Sequence, residues 1–295
     1  MIITSRESII DVLCPAKVNL YLEVKGKRPD GYHELDTLMQ TVSIYDRLVL
    51  EPSDGGTEIR CSDPGIPCGP ENTVWRAADE MRLATGCRAG VRVFIEKRIP
   101  AGGGLGGGSS DAAGMIAGLN LLWKLGLPPA RMLEIGGRVG SDVAFFLVGA
   151  TAVCRGRGEM VTAAEGPQAP LHLVVVYPGF PVSTKEIFGC LKLDLTESSD
   201  NDNIFKLTKE LRLGGVASVV PRLFNRLEGT TLAARPELNA VKQAMAREGL
   251  LGVTMSGSGS CFFGLCERKE VASEKARNLI ASGVGLAIAC ESTRE

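Results

Sequence analysis

The sequence predicts two α+β domains joined near residues 160–170. Three observations carry that reading. In the first half, short strand-like runs are followed by helical ones; after Gly149 the alternation starts afresh; and the stretch 163–170 between them is polar and carries Pro167 and Pro170, the composition of a linker. The expected domains are therefore 1–163 and 164–295, each large enough to enclose a core of its own.

In chain order, 8–14 and 17–24 read as short strands separated by Pro15, and 42–51 as another with Ile44, Leu48 and Leu50 at its apolar positions. The segment 71–84 has helical spacing, with Asn72 or Thr73 as its cap. A strand at 91–96, a glycine-rich loop, a helix at 109–122 and a second helix at 129–138 complete the first half. Strands at 151–154 and 171–177 open the second. Helices then fall at 184–191, 202–212, 216–227 and 237–248. A strand at 251–255, a glycine turn, a strand at 260–265, a helix at 269–281 and a strand at 285–290 close the chain. No internal repeat or long low-complexity tract interrupts this order.

Composition excludes several function classes. The chain has 295 residues, 33 Lys and Arg against 34 Asp and Glu, and a net charge of −1. Its cations are scattered, so there is no footprint for nucleic acid or for an acidic membrane surface. No apolar run approaches the ~20 residues that span a bilayer. Arg6, Glu7 and Asp11 break up any signal-peptide core, so a cytoplasmic location is expected. The nine cysteines form no Cys-x-x-Cys pair and there are only two histidines, which argues against a zinc cluster. These thiols read as small apolar residues in a reducing compartment. Nothing in the sequence bears on oligomeric state.

The most informative segment is Pro100-Ala101-Gly102-Gly103-Gly104-Leu105-Gly106-Gly107-Gly108-Ser109-Ser110-Asp111, where six of the seven residues 102–108 are glycine. Such a run packs no core and is entropically costly to order. It lets bare backbone N–H groups come close to an anion, and a helix starting behind it adds its own unpaired N–H groups and dipole. A flexible linker is the alternative, but linkers are seldom clamped between a strand and a helix. Gly108 is followed by serine, not lysine, which excludes the Walker pattern. The dinucleotide pattern is matched by Gly102, Gly104 and Gly107 only because glycines are so many, and no acidic residue follows at the end of a second parallel strand. The protein-kinase signatures His-Arg-Asp and Asp-Phe-Gly are absent.

The segment 100–110 resembles the second motif of the GHMP kinases, small-molecule kinases that include galactokinase, homoserine kinase, mevalonate kinase and phosphomevalonate kinase. Pro15-Ala16-Lys17-Val18-Asn19-Leu20 resembles the first motif of that family, and Met255-Ser256-Gly257-Ser258-Gly259-Ser260-Cys261 the third. Their order and spacing take in nearly the whole chain. Arg28-Pro29-Asp30-Gly31-Tyr32-His33-Glu34-Leu35, the doubled glycine triplet and Gly140-Ser141-Asp142-Val143 are similar to the branch whose acceptor carries a cytidine diphosphate. The resemblance implies an N-terminal domain like ribosomal protein S5 domain 2, a C-terminal ferredoxin-like domain, and ATP with its substrate between them. It also implies transfer of the ATP γ-phosphoryl group to the 2-hydroxyl of a cytidyl-linked methylerythritol, on the non-mevalonate route to isoprenoid precursors, with Mg²⁺ as companion ion.

Phosphoryl transfer asks for in-line positioning and charge neutralisation rather than covalent help. By resemblance, the loop from Pro100 through Ser109 and Ser110 holds the ATP phosphates, Ser110 is a possible Mg²⁺ contact, and Asn72 borders the adenine. Asp142 stands where a general base is needed, although Ser141-Asp142 also reads as a helix cap; the resemblance favours the base. Lys17 is the cation that orients Asp142 and stabilises the reacting groups, against the plain alternative of a surface lysine. Tyr32 and His33 offer a stacking ring and an imidazole for cytosine, Phe188 the opposite ring face, and Asn19 a contact to the methylerythritol unit. Without the resemblance, Asp30-Gly31-Tyr32-His33 is simply a turn, and Gly257, Ser258 and Gly259 are equally well a supporting turn or a substrate contact.

Two departures from the family pattern stand out. Ala144 replaces a common proline, which touches the backbone and not the carboxylate. Arg226 stands where relatives commonly have aspartate, so no role of that aspartate carries over. The readings from other classes, a nucleotide-binding regulator without catalysis or an RNA binder, are opposed by the retained Lys17 and Asp142 and by the lack of a basic face.

Overall fold

A computed structural model describes residues 1–192 and 202–294. Its first half is organised by two long antiparallel strands. After β1 (Ile2–Arg6) come β2 (Ile9–Lys27), β3 (His33–Ser53) and β4 (Thr57–Cys61). Then follow α1 (Thr73–Thr85), β5 (Gly90–Glu96), α2 (Gly107–Leu122), α3 (Pro129–Val139), α4 (Val143–Val148), β6 (Thr151–Gly156) and β7 (Met160–Ala163). The second half contains β8 (His172–Tyr177), α5 (Thr184–Cys190), α6 (Asn203–Leu213), α7 (Val216–Val219), a 3-10 turn (Val220–Arg222), β9 (Phe224–Asn225), α8 (Arg226–Ala234), α9 (Leu238–Arg247), β10 (Leu251–Met255), β11 (Phe262–Cys266), α10 (Lys269–Ala281) and β12 (Leu286–Glu291).

The strands form two sheets. The larger runs β1-β2-β3-β5-β4, with β6 and β7 added beside β3 and β9 beside β2. The smaller runs β10-β11-β8-β12 and is antiparallel throughout. Numbered by their order in the second half, its strands lie 2-3-1-4, the ferredoxin-like arrangement that the resemblance implied. No helix among the described residues is long and apolar enough to cross a membrane.

Pro15 does not divide β2, as the sequence reading expected. The strand continues through it with a shift of register against β3 between Pro15 and Ala16. Proline has no N–H to give a ladder, so the irregularity absorbs it and the strand bends. The expected helix at 216–227 is the second correction. Pro221 interrupts it, and its residues become α7, the 3-10 turn, β9 and the start of α8. The short strands β1, β4, β7 and β9 were not foreseen, because two to five residues carry too little alternation to be read. Two further departures are β3, which begins at His33 rather than at the expected 42, and α4, foreseen only as a cap at Ser141-Asp142; the remaining helices and strands fall within a few residues of their expected bounds.

One core lies between the large sheet and α1–α4, where Val12, Cys14, Leu48 and Leu50 meet Ala112, Met115, Ile116 and Leu119 of α2. Glycines let α2 lie close on the sheet. A Cβ on Gly114 would sit 2.3 Å from Cys14 Sγ, and one on Gly118 would sit 2.8 Å from a Leu50 methyl. A second core joins the sheets: Val18, Leu20, Leu38 and Val42 pack with Leu173, Val175, Phe263 and Leu265. The outer face of the small sheet is covered by α9 and α10 through Val174, Val176, Phe262, Met245 and Leu279. Beyond β12, Ser292 bridges to Val42, and Thr293 N–H donates to Thr41 O at 3.0 Å.

Replacing Gly114 with valine should overpack the contact with Cys14 and lower unfolding free energy by about 3 kcal/mol. Urea denaturation of the two proteins checks this; an unchanged midpoint would contradict the close helix–sheet approach.

Candidate active site

The first motif enters the site through the bend in β2. Just after it, Lys17 N–H donates to Leu105 O at 2.9 Å, which ties the strand to the middle of the glycine loop. The Lys17 side chain is only 4% exposed. Its Nζ donates to Asn19 Oδ1 at 2.6 Å and stands 3.9 Å from Asp142 Oδ2. Asn19 Nδ2 in turn donates to Thr37 Oγ1 at 2.9 Å, and Thr37 Oγ1 donates to Tyr21 O at 2.6 Å, so the lysine is held by a chain of bonds across β2 and β3. Burial lowers the Lys17 pKa, and the Asp142 charge opposes that shift. The neighbouring thiols of Cys154 and Cys261 are pushed up by burial and remain neutral.

Asp142 immediately precedes α4. It occupies the N-cap position, yet its carboxylate makes no capping hydrogen bond. The side chain keeps 30% exposure and faces the same opening as Lys17. Geometrically, then, it is a carboxylate turned toward a buried cation and open to a ligand.

The glycine loop runs from β5 into α2, between a strand and a helix as its sequence implied. Gly106 is the N-cap of α2 with φ of 74° and no side-chain cap. The first N–H groups of α2 therefore lack helical and side-chain cap partners, an arrangement that can receive an anion. The third motif packs directly on this loop. Ser256 Oγ donates to Gly104 O at 2.9 Å, and Cys261 N–H donates to Gly103 O at 3.1 Å. A Cβ on Gly104 would lie 2.1 Å from Ser256 O, so glycine is required there by contact as well as by its φ of 78°. Asn225 Nδ2 donates to Met255 O at 2.8 Å and to Gly257 O at 2.7 Å, which anchors the third turn from behind. Gly257 and Ser258 belong to this supported turn and also line the cleft.

These motifs share one cleft of about 1240 Å³. Its wall includes Lys17, Asn19, Tyr32, His33, Asn72, Asp142 and Phe188, and the loop residues Pro100, Ala101, Gly102, Gly103, Gly104, Leu105, Gly106, Gly107, Gly108 and Ser109. Ser110 is not on that wall. It is fully buried, and its Oγ has no hydrogen-bond partner. Asn72 is committed on one side: it caps α1 by accepting from Val74 N–H at 2.8 Å and donates to Pro67 O at 2.6 Å. At the other end of the cleft, the His33 and Phe188 rings lie 4.9 Å apart at 32°, and the Arg157 guanidinium sits 4.7 Å above the Tyr32 ring. Tyr32 is 53% exposed. Burial, aided by the Lys27 charge, lowers the His33 pKa, so its imidazole is neutral near pH 7.

Sequence reasoning missed Arg157, on the turn between β6 and β7, because no motif surrounds it. It also missed a buried group beneath the glycine loop. Lys97 Nζ donates to Asp46 Oδ2 and, at 2.8 Å, to Asp111 Oδ2. Burial pushes the Asp111 carboxyl up to about 7; Lys97 pulls against the shift and Asp46 adds to it. The same two carboxylates raise the Lys97 pKa despite its burial. The only sequence signal was an aspartate directly after Ser109-Ser110.

Family models match both halves of the chain: "GHMP kinases N terminal domain" over residues 72–150 and "GHMP kinases C terminal" over 195–285. A protein of Pelotomaculum thermopropionicum named 4-diphosphocytidyl-2-C-methyl-D-erythritol kinase is 40% identical over 269 residues, covering 91% of this chain and 93% of its own. A Geobacter metallireducens protein of the same name is likewise 40% identical, with the same coverage. Among solved structures, a 4-(cytidine 5'-diphospho)-2C-methyl-D-erythritol kinase superposes with a TM-score of 0.82 at 38% identity, over 97% of this chain and 100% of its own. A homoserine kinase from Cytophaga hutchinsonii, at 20% identity and a TM-score of 0.75 over 99% and 97% of the two chains, shares the fold.

The raised Asp111 carboxyl links stability to pH. The folded chain retains a proton that the unfolded chain releases above its ordinary value of 3.8, so this contribution is lost as pH rises toward about 7. Between those values wild type should lose ground to Asp111→Asn by up to about 1.4 kcal/mol per pH unit, with no further change above. Urea midpoints of both proteins at pH 5, 6, 7 and 8 read this out; a gap independent of pH would contradict it.

Proposed function

The chain belongs to the GHMP kinase family, and on that premise we propose that it transfers the γ-phosphoryl group of ATP to the 2-hydroxyl of 4-diphosphocytidyl-2-C-methyl-D-erythritol. One observation carries the reading: the Lys17–Asp142 pair, 3.9 Å apart, opens into the cleft whose wall is the glycine loop. The agreement in name among relatives about 40% identical over nine-tenths of the chain supports the choice of acceptor.

In the proposed reaction the loop amides and the α2 N-terminus bind the phosphates, and Asn72 borders the adenine. Asp142 takes the proton of the 2-hydroxyl as the new O–P bond forms. The bond between the γ-phosphorus and the bridging oxygen breaks, and its electron pair leaves on ADP. The Lys17 ammonium keeps Asp142 oriented and balances charge on the transferring oxygens. Asn19, already bonded to Lys17, contacts the methylerythritol unit. Tyr32 and Phe188 give ring faces for cytosine, and neutral His33 can both donate to and accept from its edge.

We propose that Mg²⁺ accompanies the nucleotide. No cluster of three or more His, Cys, Asp or Glu able to hold a metal occurs among the described residues. A magnesium ion that keeps its waters and rides on substrate phosphates needs only one or two protein oxygens. Asp142 and the Ser109 hydroxyl, both on the cleft wall, are the residues that would hold it. When bound, the ion neutralises charge on the β- and γ-phosphates. We further propose the division into 1–163 and 164–295. In its support, all strands of the large sheet except the two-residue β9 lie at or before β7, which ends at Ala163, and the small sheet begins at His172.

Asp142→Asn should lower kcat about a thousandfold while ATP still binds. Steady-state kinetics with calorimetric ATP titration tests this, and near-normal turnover would remove Asp142 as the base. With the wild-type enzyme, an acceptor lacking the cytidyl group should be turned over far more slowly than the complete acceptor. Equal kcat/KM for the two would leave a GHMP kinase of different substrate.

A further inference from the structure

A bend of glycines has almost no side chains with which to hold itself. Its middle is held by Lys17, Ser256 and Cys261, and its beginning and end are held separately. The beginning is fixed by Asp46, on β3: its Oδ1 accepts from Arg98 N–H at 2.6 Å and from Ile99 N–H at 2.8 Å. The end is fixed by Asp111, in the opening turns of α2. Lys97 joins them, donating to Asp46 Oδ2 and to Asp111 Oδ2. The loop returns onto the same carboxylate, since a Cβ on Gly107 would lie 3.3 Å from Asp46 Oδ2. All three side chains are at most 8% exposed.

We infer that Asp46, Lys97 and Asp111 are positioning residues that set the span of the glycine loop, so that its free amides reach a nucleotide triphosphate already arrayed. This deepens the proposed function and rests on its reading of the loop as the ATP phosphate site.

Two features set the group apart from an ordinary buried ion pair. Two carboxylates share one ammonium, so once Asp111 ionises a net negative charge stands in the interior, where a neutral pair would cost less. In addition, Asp111 Oδ1 is buried without a hydrogen-bond partner. Asp111 is thus the member the fold needs least for stability. It is also the member that ties α2 to the strand side of the loop. The groups facing it are Lys97 beyond β5, Asp46 on β3 and the neutral Cys14 thiol on β2. A local cost kept at such a place indicates a functional constraint.

The experiment compares full-length wild type with Asp111→Ala and Asp111→Asn at pH 8. The readouts are thermal unfolding, KM for ATP and for the cytidyl acceptor, and amide exchange over residues 102–109 with and without a non-hydrolysable ATP analogue. Asp111→Ala leaves a neutral Lys97–Asp46 pair, so it should fold. Its KM for ATP should rise about tenfold while KM for the acceptor stays within about twofold, the size expected for losing one charged hydrogen bond that acts on one substrate only. Exchange over 102–109 should quicken in its nucleotide-free form. Asp111→Asn keeps an oxygen for Lys97 and should restore most of the ATP affinity.

The inference is overturned by a folded Asp111→Ala with wild-type KM for ATP and wild-type loop exchange. It is also overturned by parallel rises in both KM values, by an asparagine variant that behaves like alanine, or by failure of Asp111→Ala to fold, which would make the group a stability element. If the analogue leaves exchange over 102–109 unchanged in wild type, the phosphate-site reading fails as well, a result distinct from those four.

Discussion

An ammonium in a protein interior loses several kcal/mol of hydration, and it persists only where other groups replace the lost water. Lys17 imposes that condition on the architecture around it. Asn19 must stand two residues along the same strand, Thr37 must face Asn19 from β3, and Asp142 must arrive from a different part of the chain. The bend at Pro15 and the placement of α4 are how the backbone meets those demands. The same lysine donates its backbone N–H to the glycine loop, so the buried cation and the glycine bend have a fixed relation.

The second constraint is backbone proximity. Three stretches far apart in sequence, at Lys17, Gly104 and Ser256, touch main chain to main chain or hydroxyl to main chain. Side chains would hold them apart, as the 2.1 Å approach at Gly104 shows. Asn225 and Glu228 then brace the third turn from α8, Glu228 Oε2 accepting from Met255 N–H at 2.9 Å. Arg226 adds to this region: it forms a two-pronged bond with buried Glu23 on β2, at 2.7 and 3.0 Å.

Much of this was legible in the sequence because it is encoded locally. A glycine run between a strand pattern and a helix pattern is a statement about a few contiguous residues, and so is the cap at Asn72. The motifs also identified Lys17, Asp142, Tyr32, His33 and Phe188, which share one cleft. What escaped was encoded by distance. Lys97, Asp46 and Asp111 acquire meaning only when β3, β5 and α2 are brought together. Arg157 reaches Tyr32 only because β6 lies beside β3. Ser110 differs for a simpler reason: on a helix, neighbouring side chains point about 100° apart, so Ser109 can face the cleft while Ser110 faces the core.

The two-residue strand β9 has an effect beyond its size. It belongs to the second half of the chain but completes the sheet of the first, beside Tyr21 and Leu22. The tail after β12 crosses the same way to Thr41 and Val42. A protease cut within 164–170 would therefore not release two free-standing pieces; the fragments would stay stitched together at β9 and at the tail. Either fragment made by itself would leave an open sheet edge, the usual origin of aggregation.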